Sequence, residues 1–75
     1  MEKTKLPEYA VRLRELREAR GLTQRQASER CTLSKNMIHR YEMGEREPKA
    51  STLRLLAGFY QVSVDYILGI TEKNK

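Results

Sequence analysis

Residues 24–44 read QRQASERCTLSKNMIHRYEMG, and this stretch decides the fold. Thr23 stands just ahead of it as a helix N-cap, and Gln26, three residues on, completes a capping-box pattern. A short helix over 24–30 follows. Ser34 is a second N-cap, which predicts a helix over 35–41 that Gly44 ends. The two helices are joined by a tight turn. Ile38 and Tyr41 on the second helix face inward, while Lys35, Asn36, His39 and Arg40 lie on its outer side. Cationic and amide side chains at that spacing suit base edges and phosphates.

The flanking sequence supplies a bundle around this pair. Leu6, Tyr9, Ala10, Leu13, Leu16 and Arg17 recur every three to four residues, marking the inward face of a helix over 7–20. Pro7 suits its first position, Glu8 the positive end of its dipole, and Gly21 its C-terminal stop. After the loop EREPK, a helix over 50–60 buries Leu53, Leu56, Ala57 and Tyr60. Gly58 inside it costs about 1 kcal/mol relative to Ala, so packing must hold this helix. Ser63 caps a last short helix over 64–68, closed by Gly69. The one β-branched cluster, Val62-Ser63-Val64, is too short to pair as a strand. The expectation is a single all-α domain over 1–75, a compact five-helix fold with its core at 8–69, the two-helix unit at 24–43, and ragged ends at 1–5 and 71–75.

The chain has 75 residues, and a domain of this size buries roughly 60% of its unfolded surface. Its 15 Lys and Arg against 10 Asp and Glu leave a net charge of +5. Such a surplus favours polyanions without choosing among DNA, RNA and acidic membranes. No apolar run reaches the length of a membrane span, and MEKTKLPEY lacks the apolar segment of a signal peptide, so a cytoplasmic location is expected. Cys31 is the only cysteine and reads as a reduced core thiol. His39 is the only histidine, so neither a metal set nor a Cys–His dyad is expected. The four glycines read as helix punctuation or packing positions, not as a phosphate loop. No cofactor, small-molecule ligand or catalytic role is therefore expected. Arg12, Arg14 and Arg20 read as surface charges, with Glu8–Arg12 and Arg14–Glu18 spaced for i,i+4 pairs. Tyr9, Tyr41, Phe59 and Tyr60 read as core.

The segments RLRELREARGLTQ, SKNMIHRYEMGEREP and LRLLAGFYQVSVDYILG stand in order along the chain. Together they resemble the lambda-repressor/Cro-like helix-turn-helix domains, the XRE family, over about residues 8–69. The string I-x-x-[WYL]-E-x-G-x-x-x-P, residues 38–48 here, is specific in that company. The resemblance implies that the second helix crosses the DNA backbone while the third enters the major groove. It implies a phosphate contact from Gln24, with free helix-end N–H groups adding to anion binding. Base reading falls to Lys35, Asn36 and Arg40, with His39 beside them: Lys or Arg bonds guanine O6 and N7, and Asn bonds adenine N6 and N7. Ser34, Arg25 and Arg46 suit backbone phosphates. Met37 either touches a thymine methyl or fills the groove edge. Arg17 and Glu42 fall where the family places an internal ion pair, and an unpaired charge on the inward face of the first helix would be expensive.

Two positions depart from the family pattern. Thr32 stands where the turn often has Gly, so the turn has a different conformation or tolerates strain. Ser28 stands in place of Ala and needs a hydrogen-bond partner if buried. The expected function is transcriptional regulation of phage- or mobile-element-repressor type, by a homodimer on a pseudo-palindromic operator in double-stranded DNA. One recognition helix reads too few base pairs to be specific in a genome. Val64, Tyr66, Ile67 and Ile70 form an apolar segment suited to the dimer surface. The alternative is a protein-interaction module of the same fold, an antitoxin or adaptor, which the Lys35/Asn36/Arg40 set argues against.

Overall fold

Tyr9, Ala10 and Leu13 meet Ala27, Cys31, Ile38, Tyr41, Leu56, Ala57, Tyr60 and Ile67 in one buried cluster. In the computed structural model, which describes residues 5–73, five helices converge on that cluster. They are α1 (Glu8–Ala19), α2 (Gln24–Arg30), α3 (Met37–Glu42), α4 (Ala50–Tyr60) and α5 (Val64–Leu68), with no strand among the described residues. Leu13, Leu56, Tyr60 and Ile67 are wholly enclosed, and burial of each of the three aliphatic side chains is worth about 1.5–3 kcal/mol. Helix α1 packs on both α3 and α5, so it is the element against which the others are set.

All five helices close in the same way. Each ends on a residue in the left-handed region: Gly21, Thr32, Gly44, Gln61 and Gly69. After α2, the Leu33 N–H donates to the Ser28 carbonyl (2.9 Å) and the Thr32 N–H to that of Glu29 (3.2 Å), the paired bonds of a Schellman motif. Thr32 has φ +54°, so of the two alternatives for this turn the strained one is realised. Its hydroxyl turns back to the Cys31 carbonyl at 2.6 Å. Gln61, at φ +58°, repeats the departure after α4, where the sequence carried no warning.

The capping box of α2 is complete, with Thr23 Oγ1 accepting from the Gln26 N–H and the Gln26 side chain accepting from the Thr23 N–H. Ser63 caps α5 through the Tyr66 N–H. Helix α3 differs from expectation. It begins at Met37, its N-cap is Asn36, and residues 34–36 form a tighter turn in which the Met37 N–H reaches the Ser34 carbonyl three residues back (3.0 Å). Pro7 lies one residue outside α1, as its N-cap, and Leu6 is exposed and not inward. It sits beside Pro7 over Gly44, where a Cβ would come within 2.8 Å of the Pro7 ring.

Arg12 and Ile67 lie deeper than expected. Arg12 is not a surface charge: its side chain is 9% exposed. Its Nη1 donates to the carbonyls of Tyr66 (3.0 Å), which also accepts the Gly69 N–H, and Thr71 (3.3 Å). Glu8 and Glu72 flank the guanidinium at 3.2 and 3.4 Å, and it stacks on the Tyr66 ring at 4.3 Å. Arg20 remains exposed, yet it bonds the Tyr60 carbonyl and lies over the Tyr60 ring. Ile67 is fully buried, because the short α5 turns that side chain into the core against α1, so it cannot serve a dimer surface. Ser28 is also fully buried, and its hydroxyl has no partner among the described residues.

Candidate nucleic-acid interface

The turn at 34–36 and the start of α3 stand next to the start of α2, and between them lies an open cleft of about 350 Å³. Gln24 and Arg25 line it from α2, and Lys35, Asn36 and His39 from the turn and α3. Five of the residues singled out in the sequence thus share one concavity. Ser34 and Arg40 are exposed, Arg40 one helical turn beyond Asn36 on the same side. Arg46 is set apart in the loop before α4. It is exposed, and its carbonyl accepts from the Tyr9 hydroxyl at 3.1 Å, which ties that loop to α1. Met37 is half-buried against the core.

What holds α3 in place is polar. Arg17 of α1 donates from Nε to Glu42 Oε2 (2.7 Å) and from Nη2 to Oε1 (2.9 Å), a bidentate pair. Its Nη1 reaches the Leu22 carbonyl at 2.7 Å, so the same guanidinium also fastens the turn between α1 and α2. The side chains are 11% and 2% exposed. Hydrogen bonding to Glu42 raises the Arg17 pKa against the opposing effect of burial. Gln24 extends the network: its Nε2 donates to Glu42 Oε1 (3.0 Å), and its Oε1 lies 3.2 Å from His39 Nδ1. Much of the Gln24 amide, assigned to phosphate by resemblance alone, is therefore engaged inside the protein. Sequence reasoning missed this link. Gln24 lies 15 residues from His39 and 18 from Glu42, and only the packing of α2 against α3 joins it to them.

A short capped helix, a turn, and a second helix presenting cationic and amide groups define a helix-turn-helix unit, here carried on a five-helix scaffold. The helix-turn-helix family model matches residues 13–67, and the chain belongs to that family, in its XRE branch. It is similar to the HTH-type transcriptional regulator YobD of Bacillus subtilis, with 44% identity over 64 residues, covering 85% of this chain and 57% of that protein. It is also similar to the regulator ImmR of the same organism (41% over 64 residues, 85% and 50% covered). A third relative is the cryptic phage CTXphi transcriptional repressor RstR of Vibrio cholerae (32% over 66 residues, 88% and 60% covered). The chain thus spans about half to three-fifths of the length of these relatives. The crystal structure of a hypothetical transcription factor, NHTF, from Neisseria shares the fold, with a TM-score of 0.78 at 19% identity over 91% of this chain and 86% of that one.

Proposed function

We propose that this chain is the DNA-binding part of a transcriptional regulator of phage- or mobile-element-repressor type. The single observation that carries the reading is the cleft where Lys35, Asn36 and His39 converge with Gln24 and Arg25, on a chain of this family with a net charge of +5. The names of ImmR and RstR support the regulatory assignment. In this reading Lys35 and Arg40 bond guanine, Asn36 bonds adenine, and His39 joins them at the base edges. Arg25, Ser34, Arg46 and the remaining amide proton of Gln24 take phosphates. The protein acts as a homodimer on a pseudo-palindrome. Ile70, 70% exposed, supplies the centre of the dimer surface, with the half-buried Val64 and Tyr66 beside it.

Selection of binding sites from random double-stranded DNA tests this. The expected product is a pair of inverted half-sites about 10 bp apart, centre to centre, or a multiple of that spacing. Affinity falls steeply with salt as phosphate contacts release counterions. Asn36→Ala relaxes the preference at one or two base pairs, while Arg25→Ala weakens all sequences alike. Enrichment of no sequence would overturn the reading.

A further inference from the structure

The hydrogen bonds running from Arg17 to His39 have directions that can be assigned one after another. Glu42 Oε1 receives Arg17 Nη2 at 2.9 Å and Gln24 Nε2 at 3.0 Å. A carboxylate bonded to a guanidinium only accepts, so the NH₂ end of the Gln24 amide must face Glu42. The carbonyl end then faces His39, with Oε1 3.2 Å from Nδ1. Two acceptors do not bond, so Nδ1 carries the proton. A neutral imidazole has one N–H, which leaves Nε2 as a bare lone pair. Nε2 has no hydrogen-bond partner among the described residues, and the His39 ring is exposed in the cleft with Arg25, Lys35 and Asn36.

We infer that Gln24 fixes His39 in its Nδ1–H form and so makes it a reader of bases that offer an amino group, adenine or cytosine. This deepens the DNA-binding reading above and rests on it for the base preference; the tautomer does not depend on it. In the major groove the N6 amine of adenine and the N4 amine of cytosine are the donors, whereas guanine O6 and N7 and thymine O4 are acceptors. A lone pair on Nε2 accepts from the first two and is repelled by the others, and phosphate oxygens repel it as well. His39 therefore asks for the opposite of what Lys35 and Arg40 ask for. Gln24 is a positioning residue in this arrangement, acting on the base through the ring.

The ring can be read directly, because His39 is the only histidine. The imidazole ¹⁵N signals of the full chain free of DNA, at pH 8 and so above the ordinary imidazole range, distinguish a protonated from a bare nitrogen. The wild type should show Nδ1 protonated and Nε2 bare. Gln24→Ala should move the ratio toward Nε2–H by about three- to tenfold, the worth of one hydrogen bond. A wild-type ring protonated at Nε2, or a ratio that Gln24→Ala leaves unchanged, overturns the lock. Binding-site selection then reads the consequence. His39→Ala identifies the base pair concerned as the one whose preference disappears. There the wild type should favour adenine or cytosine by about three- to tenfold, and Gln24→Ala should lose that preference. Guanine or thymine at that position overturns the base preference with DNA binding intact. Selection of no sequence overturns the DNA-binding reading and the preference with it, while the ring signals still report on the lock.

Discussion

Removing Glu42 alone and removing it together with Arg17 should have very different consequences. Glu42→Leu leaves a guanidinium whose side chain is 11% exposed with one remaining bond, to the Leu22 carbonyl, and frees the Gln24 amide as well. Arg17→Met leaves a carboxylate 2% exposed. Breaking a buried pair from one side costs about 3–5 kcal/mol, because the surviving charge is desolvated without compensation. At roughly 0.05–0.15 kcal/mol per residue the whole domain is stable by only about 4–11 kcal/mol, so either single change removes a large part of the total. Arg17→Met with Glu42→Leu removes both desolvation penalties and puts apolar atoms in the gap. The pair should lie within about 2 kcal/mol of wild type or above it. The cycle therefore predicts a coupling of about 3 kcal/mol or more. Equilibrium urea unfolding measures it. With a slope near 1 kcal/mol per molar, each single change lowers the midpoint by about 3–5 M, and a stabilised background keeps the single variants folded. Effects that add to within about 0.5 kcal/mol would refute the view that this pair sets α3 against α1.

Ser28→Ala supplies such a background. It removes a buried hydroxyl with no partner and should stabilise by about 1–3 kcal/mol, raising the melting temperature by about 4–8 °C per kcal/mol; no gain would show that the hydroxyl is satisfied. Thr32→Gly relieves a left-handed threonine at roughly 1–2 kcal/mol but adds up to about 1 kcal/mol of chain entropy, for a net gain of about 0.5–1 kcal/mol; a loss of stability would mean the Cys31 contact outweighs the strain. Burial pushes the Tyr60 hydroxyl up to about 12 from 10.0, so its contribution is intact below pH 10 and is lost as pH rises toward 12, where only the unfolded chain ionises readily. Urea midpoints at pH 8 and pH 11 should converge in Tyr60→Phe relative to wild type. Some decline should persist, because Tyr9 is also raised, chiefly by burial.

The helices were legible where short-range signals mark them. Thr23 with Gln26, Ser63, and the glycines at 21, 44 and 69 each act within a few residues, and the elements they bound stand where the pattern put them. Ser34 misled, since serine also favours the turn that 34–36 adopt, and the helix starts only once Met37 can continue it. Arg12 was unreadable for a different reason. Its i,i+4 spacing to Glu8 is a surface signature, and the carbonyls that draw it inward belong to residues 66 and 71, more than fifty positions away. Ile67 looked like spare apolar surface because five residues of helix are too few for periodicity to tell inside from outside. In the cleft, the residue types were visible in advance, but the bond from Gln24 to Glu42 was not. That bond turns a list of polar residues into a chain with a direction.

Arg12 and Arg17 give α1 a mechanical character. They lie five residues apart, about 7.5 Å along one helix. The first grips the backbone where the chain leaves α5, and the second grips the end of the helix that faces the cleft. Beyond α5 the chain is thus tied to α1 at Thr71 as well as to α5 itself through the Ile70 N–H. A stiff rod joins the two grips. Both grips belong to that one helix, so the backbone at Thr71 and the carboxylate of Glu42 are held to the same element.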